Sequence, residues 1–453
     1  MQRFKPAQII IFGFLSLILL GTVLLSLPIS AKPGRQLGFL DNLFTSTSAV
    51  CITGLSVADI GLTFSLFGQI VILFLIQAGG LGVMTVMSLV FVLLGKRITL
   101  SERMIIKEAL NEFNLSGVVR MVLRIIKYTV FFELAGAAVL AIRFVPLLGL
   151  KGVFYSVFHS VSAFCNAGFD LMGPVSGEFS GLSMFASDPV VIFTLSALII
   201  LGGLGFAVIA DIFGIGNRRR RQKLCRYTKL VLAANAVLLV LGLATVFSFE
   251  LGNPRTLGAL DTGGKIISGI FQAITPRTAG FSTLDQGALL SATRFVVIIL
   301  MFIGASPAGT GGGIKTTTVA IVTLFAFSGI KKSQDVNIFG RRLAFDTVRR
   351  ALSIMVLALL FVLIVCFAVI GIEGLRQEAL FSTQNIVFEV VSAFGTVGIS
   401  AGITPLLCTA SRVIIIITMF VGRIGLMTLV FGLSSRSEKP ADLRYPKERF
   451  MVG

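Results

Sequence analysis

The sequence predicts an all-α polytopic membrane protein: four tandem repeats of helix, re-entrant pore loop and helix around one pseudo-fourfold pore, with eight membrane spans. Three observations carry this. Of 453 residues, 55% are apolar and only 13% charged, a make-up outside that of ordinary soluble globules. Runs such as 9–27, 67–94, 189–214, 230–249 and 351–372 reach the about 20 residues that a helix needs to cross a hydrocarbon core. Four short segments recur after short apolar stretches, their glycines separated by 114, 112 and 118 residues: Cys51-Ile52-Thr53-Gly54-Leu55, Cys165-Asn166-Ala167-Gly168-Phe169, Arg277-Thr278-Ala279-Gly280-Phe281 and Gly395-Thr396-Val397-Gly398-Ile399.

Each repeat reads as a long apolar helix, a shorter half-apolar segment, a glycine turn and a second long helix. In the first repeat (1–95) the parts fall at 7–28, 38–50, 51–56 and 66–95, and in the second (96–217) at 118–145, 151–164, 165–170 and 189–214. In the third (218–330) they fall at 228–250, 263–275, 276–282 and 293–328, and in the fourth (331–434) at 347–372, 380–394, 395–400 and 411–434. A tail, 435–453, follows. The first apolar run, after Arg3 and Lys5, resembles a signal-peptide core, but no small-residue cleavage site separates it from the first repeat, and it reads as retained.

The middle segments are too short to cross a bilayer, so each is expected to enter from the outer face, turn at its glycine and return as extended chain. Non-helical backbone at membrane depth is tolerated only where protein buries it or a wet cavity is lined by it, which places all four turns around a shared pore. Register supports this: Phe44, Phe158 and Phe388 stand ten residues before the glycine, Ser48, Ser162 and Ser392 six before, and Ala49, Ala163 and Ala393 five before. In the third repeat Phe271 is nine before and Thr275 five before, so one residue is missing there.

Backbone carbonyls aimed inward at such turns suit a dehydrated cation, and glycine supplies the dihedral angles required. The expected filter is Ile52, Thr53 and Gly54; Asn166, Ala167 and Gly168; Thr278, Ala279 and Gly280; Thr396, Val397 and Gly398, with potassium as the ion and Asn166 offering an extra oxygen. Only Thr396-Val397-Gly398 approaches the TVGYG turn of potassium channels, so the filter is expected to be shorter and less selective. Short helices aiming their carboxyl ends at its centre add partial negative charge. Arg277 is expected to sit behind its turn, bonded to loop carbonyls or a carboxylate. Asp59, Asp170 and Asp285 fall near the outer mouth, each also readable as a solvated loop carboxylate.

Between Phe295 and Phe327 an apolar stretch is interrupted by Gly304-Ala305-Ser306-Pro307-Ala308-Gly309-Thr310-Gly311-Gly312-Gly313-Ile314-Lys315-Thr316-Thr317. Five glycines and a proline within 304–313 break the helix into two pieces joined by an intramembrane loop below the filter. This loop, 304–316, is the expected gate, with Gly304, Ser306, Pro307, Gly309, Thr310, Gly311, Gly312, Gly313 and Lys315 as its residues. A phosphate-loop reading fails because Ile314 separates Gly313 from Lys315 and no sheet strand precedes it. In the other second helices Gly79-Gly80-Leu81-Gly82 and Gly202-Gly203-Leu204-Gly205 read as close-packing surfaces. In Gly422-Arg423-Ile424-Gly425 the charge of Arg423 is costly at depth and is expected beneath the loop, with Lys315 nearby.

Of the 39 Lys and Arg residues, 27 fall in the amino terminus, 96–127, 218–229, 331–350 and the tail, which predicts that those segments and both termini are cytoplasmic. The net charge of +18 then reflects orientation and contact with membrane lipid, not nucleic acid. The five cysteines lack zinc or disulfide spacing, and His159, the one histidine, leaves histidine triads without material.

Taken together, the filter glycines Gly54, Gly168, Gly280 and Gly398, the loop from Gly304 to Thr316 and Arg423 resemble the Trk/Ktr/HKT superfamily of potassium transporters, most closely its bacterial KtrB-type branch, across essentially the whole chain. TrkH-type members carry two further amino-terminal helices, which this chain does not show before its first repeat. The resemblance implies potassium uptake across the bacterial cytoplasmic (inner) membrane by a homodimer with one pore per protomer. It further implies sodium as an activating or coupled ion, no covalent cofactor, and a cytosolic KtrA-like nucleotide-binding ring that adjusts the gate. Glycine at position 54 implies potassium preference, and the tail at 435–453 is expected to reach the neighbouring protomer. The alternative reading is a secondary carrier coupling a cation or solute to sodium or protons, which would need an inward pair of carboxylates; Glu133 and Glu389 lie within apolar segments but are isolated in the sequence. A membrane enzyme lacks an acid, a base and metal ligands.

Overall fold

Helices account for nearly all regular structure in the computed structural model, which describes residues 6–82, 85, 118–213, 224–331, 335–376 and 379–433. Of the positively charged stretches, the amino terminus up to residue 5, 96–117, 218–223, 332–334 and the tail from 434 lie outside the described residues. The first set is α1 (Pro6–Leu25), short helix α2 (Phe39–Val50) and α3 (Leu66–Leu81). The second is α4 (Val118–Leu148), short helix α5 (Lys151–Phe164), α6 (Pro189–Leu204) and α7 (Phe206–Ile212). The third is α8 (Arg226–Glu250), short helix α9 (Thr262–Ile274), α10 (Ser291–Phe302) and α11 (Thr316–Ile330). The fourth is α12 (Phe345–Glu373), short helix α13 (Thr383–Gly395), α14 (Thr409–Ile424) and α15 (Leu426–Leu433). A two-stranded ribbon pairs Asn337–Ile338 with Arg341–Arg342.

Local chemistry sets the helix starts. The Asp188 carboxylate accepts from Val190 N at 2.9 Å with Pro189 in the first turn, Asp261 accepts from Gly264 N at 3.2 Å, and Ser382 accepts from Asn385 N at 3.3 Å. The long helices turn apolar side chains such as Phe131, Leu134, Val237, Leu363 and Phe367 outward, as a lipid-facing surface requires. The short helices are enclosed: Phe44, Phe158 and Phe388, ten residues before their glycines, and Phe271, nine before its own, are all 0% exposed.

Among the described residues four helices are long and apolar enough to span, within Ala7–Leu25, Val122–Leu148, Arg226–Glu250 and Phe345–Arg376; α6 and α7 together make a fifth, bent by 103°. The second helices of the first, second and fourth repeats were expected to run unbroken, but α3, α6 and α14 end at Gly82, Gly205 and Gly425, with φ of 82°, 91° and 87°. A helix cannot pass through such a residue. Earlier glycines in the same motifs do pack closely, because a methyl on Gly79, Gly202 or Gly422 would collide with the carbonyl oxygen of Val50, Phe164 or Phe394 at the end of a short helix. The motif therefore serves contact first and a break after.

These second helices also close the molecule into a ring. α3 packs on α5, α6 on α9, α10 on α13, and α14 returns to α2. Arg294 on α10 donates to Asn385 Oδ1 on α13 at 2.5 Å and to the carbonyls of Gly287 (2.7 Å) and Leu289 (3.1 Å). Arg412 on α14 repeats the pattern, with Asp41 on α2 at 2.5 Å and the carbonyls of Pro405 (2.8 Å) and Leu407 (2.9 Å). Two buried carboxylates also match: Glu250 accepts from Leu290 N at 2.9 Å and Glu373 from Cys408 N at 2.8 Å, each capping the start of the following inner helix. Replacing Arg412 by Leu removes a charge-assisted bond and two carbonyl bonds, so a loss of about 2 kcal/mol or more is expected. It should be read as a lower thermal midpoint of the purified protein in detergent, with Arg412→Lys recovering part of the loss.

Candidate functional site: the ring of glycine turns

All four turns share one backbone conformation. The glycine has positive φ, 88° at Gly54, 71° at Gly168, 78° at Gly280 and 90° at Gly398, and so does the residue two before it: Ile52 (54°), Asn166 (57°), Thr278 (63°) and Thr396 (50°). One glycine per turn is thus not the whole requirement. The left-handed region costs a non-glycine residue about 1–2 kcal/mol, most for β-branched side chains such as Ile and Thr, and surrounding contacts must hold it. The turns are anchored to their helices by Thr53 N to Ser48 O at 2.8 Å, Ala167 N to Ser162 O at 2.7 Å and Val397 N to Ser392 O at 2.9 Å. The third uses Ala279 N to Thr275 O at 3.1 Å, one residue shorter in span, which is how the missing residue is absorbed. Side chains add to this: Ser162 Oγ donates to Phe169 O at 2.8 Å, and Gly398 N donates to Ser392 Oγ at 3.1 Å.

The turns meet in a closed circle. A methyl on Gly54 would stand 2.5 Å from Ala167 O, on Gly168 2.6 Å from the Cα of Gly280, and on Gly280 2.7 Å from Val397 O; on Gly398 it would collide with Thr53 O. Backbone touches backbone at every seam, so no side chain fits. The four glycines together floor a cavity of about 500 Å³ whose wall includes Asp59, Asp170 and Asp285. These carboxylates also brace loops: Asp59 accepts from Leu62 N (2.9 Å) and Phe179 N (3.1 Å), Asp170 from Met172 N (2.9 Å) and Asp285 from Gly287 N (2.9 Å). Among the described residues no group of three or more His, Cys, Asp and Glu side chains could hold a metal ion.

On the other side of the glycine circle lies the segment between α10 and α11. Ile303 and Ile314 bridge as parallel strands and Gly304 N donates to Ile314 O at 2.8 Å, so the loop is pinched at its base. It is stitched to broken helix ends by Ser306 N to Gly203 O (3.0 Å), Thr310 N to Gly202 O (3.2 Å), Phe206 N to Ala308 O (3.0 Å) and Gly313 N to Gly422 O (3.2 Å). This contact leaves Gly205 no room for a side chain, since a methyl there would lie 2.5 Å from Pro307 O. The loop also reaches the turns themselves. Gly312 N donates to Thr396 Oγ1 at 2.8 Å, Gly311 lies against the Thr278 side chain, and Thr310 Oγ1 bonds Phe164 O at 3.3 Å. Arg423 donates to the carbonyls of Thr310 and Gly79, and Lys315 Nζ to Gly311 O at 2.7 Å. The expected filter and loop residues are thereby brought together at one place.

Other side chains sit differently from expectation. Asn166 does not turn its oxygen to the axis: the carboxamide lies 3.1 Å from Thr278 Oγ1, and with that oxygen accepting, its nitrogen reaches Ala163 O (2.9 Å) and Ile199 O (3.2 Å). Arg277 bonds neither loop carbonyl nor carboxylate but the side chain of Asn235 on α8. Asn235 was not anticipated, although a lone carboxamide inside the apolar run 230–249 was a signal. Glu133 is held by Gln77 Nε2 at 3.2 Å and faces Cys165, while Glu389 is held by Ser400 Oγ at 3.1 Å and by Thr404. The two carboxylates serve separate networks and do not form a pair. His159 is buried between Tyr155 O (2.7 Å) and Leu171 N (3.4 Å).

A ring of turns with a loop packed beneath it, enclosed by lipid-length helices, defines an integral membrane transporter. The chain belongs to the TrkH family of cation transport proteins, whose family model matches residues 5–441. It is 40% identical over 452 residues to the Ktr system potassium uptake protein B of Bacillus subtilis (strain 168), covering 100% of this chain and 97% of that protein. It is 37% identical over 454 residues to the potassium/sodium uptake protein NtpJ of Enterococcus hirae, covering 100% and 98%. The crystal structure of the potassium transporter TrkH from Vibrio parahaemolyticus shares the fold, with a TM-score of 0.69 at 18% identity over 94% of this chain and 85% of that one. An enzymatic reading of the glycine run is set aside by membership of a transport family. Gly168→Ala, which forces a methyl against Gly280, is expected to cut rubidium uptake at least about tenfold while the protein still elutes as a folded species, since strain of 1–2 kcal/mol falls on the ring itself.

Proposed function

We propose that the chain mediates potassium uptake across the bacterial cytoplasmic membrane through a channel-like pore, with Gly54, Gly168, Gly280 and Gly398 and the residues just before them as the filter. The closed circle of glycine turns carries this reading. Main-chain oxygens around such a circle replace the water lost by a potassium ion, and the negative wall above it raises local cation concentration. Relatives named for potassium uptake support the choice of ion, and the relative named for potassium and sodium supports testing sodium as activator or coupled ion. The segment 304–316 is the gate in this proposal. Its glycines permit close approach to the filter, while Arg423 and Lys315 put positive charge beside the path.

The remaining parts of the proposal are a homodimer, both termini in the cytoplasm, and a KtrA-like nucleotide-binding ring acting on the basic segments of the inner side. Clustering of Lys and Arg in those segments supports the orientation. Rubidium flux into vesicles containing the purified protein, with and without sodium, tests the core of it. Gly398→Val should abolish uptake, whereas saturable coupled exchange with ordinary activity in that variant would make the protein a carrier. Deleting 309–313 should raise flux and weaken dependence on the cytosolic partner; unchanged flux would remove the gate from the account.

A further inference from the structure

A polar path behind the third turn joins the loop to the ring. Arg277, adjacent to left-handed Thr278, donates through Nη2 to Asn235 Oδ1. The same carboxamide donates through Nδ2 to Ser306 Oγ at 3.2 Å and to Val231 O at 2.6 Å, and Ser306 Oγ lies 3.1 Å from Thr316 Oγ1 across the base of the loop. Among the described residues Arg277 has no carboxylate partner, and its Nε has no hydrogen-bond acceptor. Its direction therefore depends on Asn235. Beside these two residues lies a cavity of about 150 Å³, bounded by Gly203 and Ala305, which leaves room for the guanidinium to take another position.

We infer that Asn235 is a positioning residue that couples the loop to the filter, so that discrimination between potassium and sodium changes with the state of the loop. While Ser306 is docked, it holds the Asn235 nitrogen and keeps Oδ1 aimed at Arg277. That fixes the segment carrying Thr278, whose hydroxyl in turn meets the Asn166 carboxamide of the neighbouring turn. When the loop withdraws, the nitrogen keeps only Val231 O, and the third turn loses its outer brace. The inference rests on the filter and gate proposed above and adds a link between them.

Rubidium and sodium fluxes into vesicles carrying the full chain provide the test, read both as rubidium rate and as the rubidium-to-sodium ratio. Asn235→Leu, which removes both bonds, should lower the ratio about fivefold, the size of one net hydrogen bond, in protein with an unchanged elution profile. Asn235→Asp keeps an acceptor for Arg277 but no donor for Ser306, so it should raise the rate and retain the ratio. Ser306→Ala removes the bonds to both Asn235 and Thr316, so it should raise the rate by itself, and adding Asn235→Asp to it should change the rate no further, because the bond to Asn235 is already gone. A ratio unmoved in folded Asn235→Leu, equal losses of ratio in the Leu and Asp variants, or additive rates in the double variant would each overturn the coupling. Should the Leu variant not fold, the Asp and double variants decide alone. If deletion of 309–313 raises flux while these variants behave as uncoupled, the gate stands and only the link falls.

Discussion

Everything in this fold is arranged around four places where two backbones must touch. At each seam of the ring the missing side chain of a glycine is occupied by the neighbouring turn, so the diameter is set by main chain against main chain. Main-chain contact cannot relax by choosing another rotamer, unlike side-chain packing, which gives the ring the stiffness that the proposed filter requires. The short helices, their buried phenylalanines and the circular packing of each second helix on the next short helix hold the four segments at that distance.

The cost is carried at Ile52, Asn166, Thr278 and Thr396, where residues ill suited to left-handed backbone are kept there by their surroundings. Three of the four side chains are used. Asn166 and Thr278 pair with each other, and Thr396 receives the amide of Gly312 from the loop. The loop is thus packed onto the same residues that store strain, which ties the lower face of the ring to whatever moves the loop.

Much of this was legible in the sequence. The glycine period, the phenylalanine register, the shortened third helix and the break at 304–316 depend on local chemistry and spacing, and the elements follow them closely. What lay hidden depends on neighbours. Nothing common to Ile, Asn, Thr and Thr announces a left-handed residue, because tertiary contacts override their preference. The final glycine of each Gly-Gly-x-Gly motif, and of Gly422-Arg423-Ile424-Gly425, reads as packing until its positive φ and, at Gly205, the loop against it are in place. Arg294 and Arg412 were within reach, since their separation equals that of Gly280 and Gly398. A lone arginine at the start of an apolar helix suggests only a snorkelling side chain, and its side-chain acceptor lies on the next repeat.

Those two arginines make the seams unequal. The guanidinium bridges of Arg294, Arg412 and Arg423 each involve the fourth repeat: Arg294 reaches it from the third, Arg412 reaches from it to the first, and Arg423 extends from it to both sides. At the joints between the first and second repeats and between the second and third, the bonds run instead from Gln77 to Glu133, from Phe179 N to Asp59 and from Ser187 to Asp261. One quadrant is therefore clamped by guanidinium groups, while the opposite one is held by apolar packing and by single hydrogen bonds to carboxylates. Thermal breathing of this near-symmetric ring should be lopsided, with the second repeat as its compliant side.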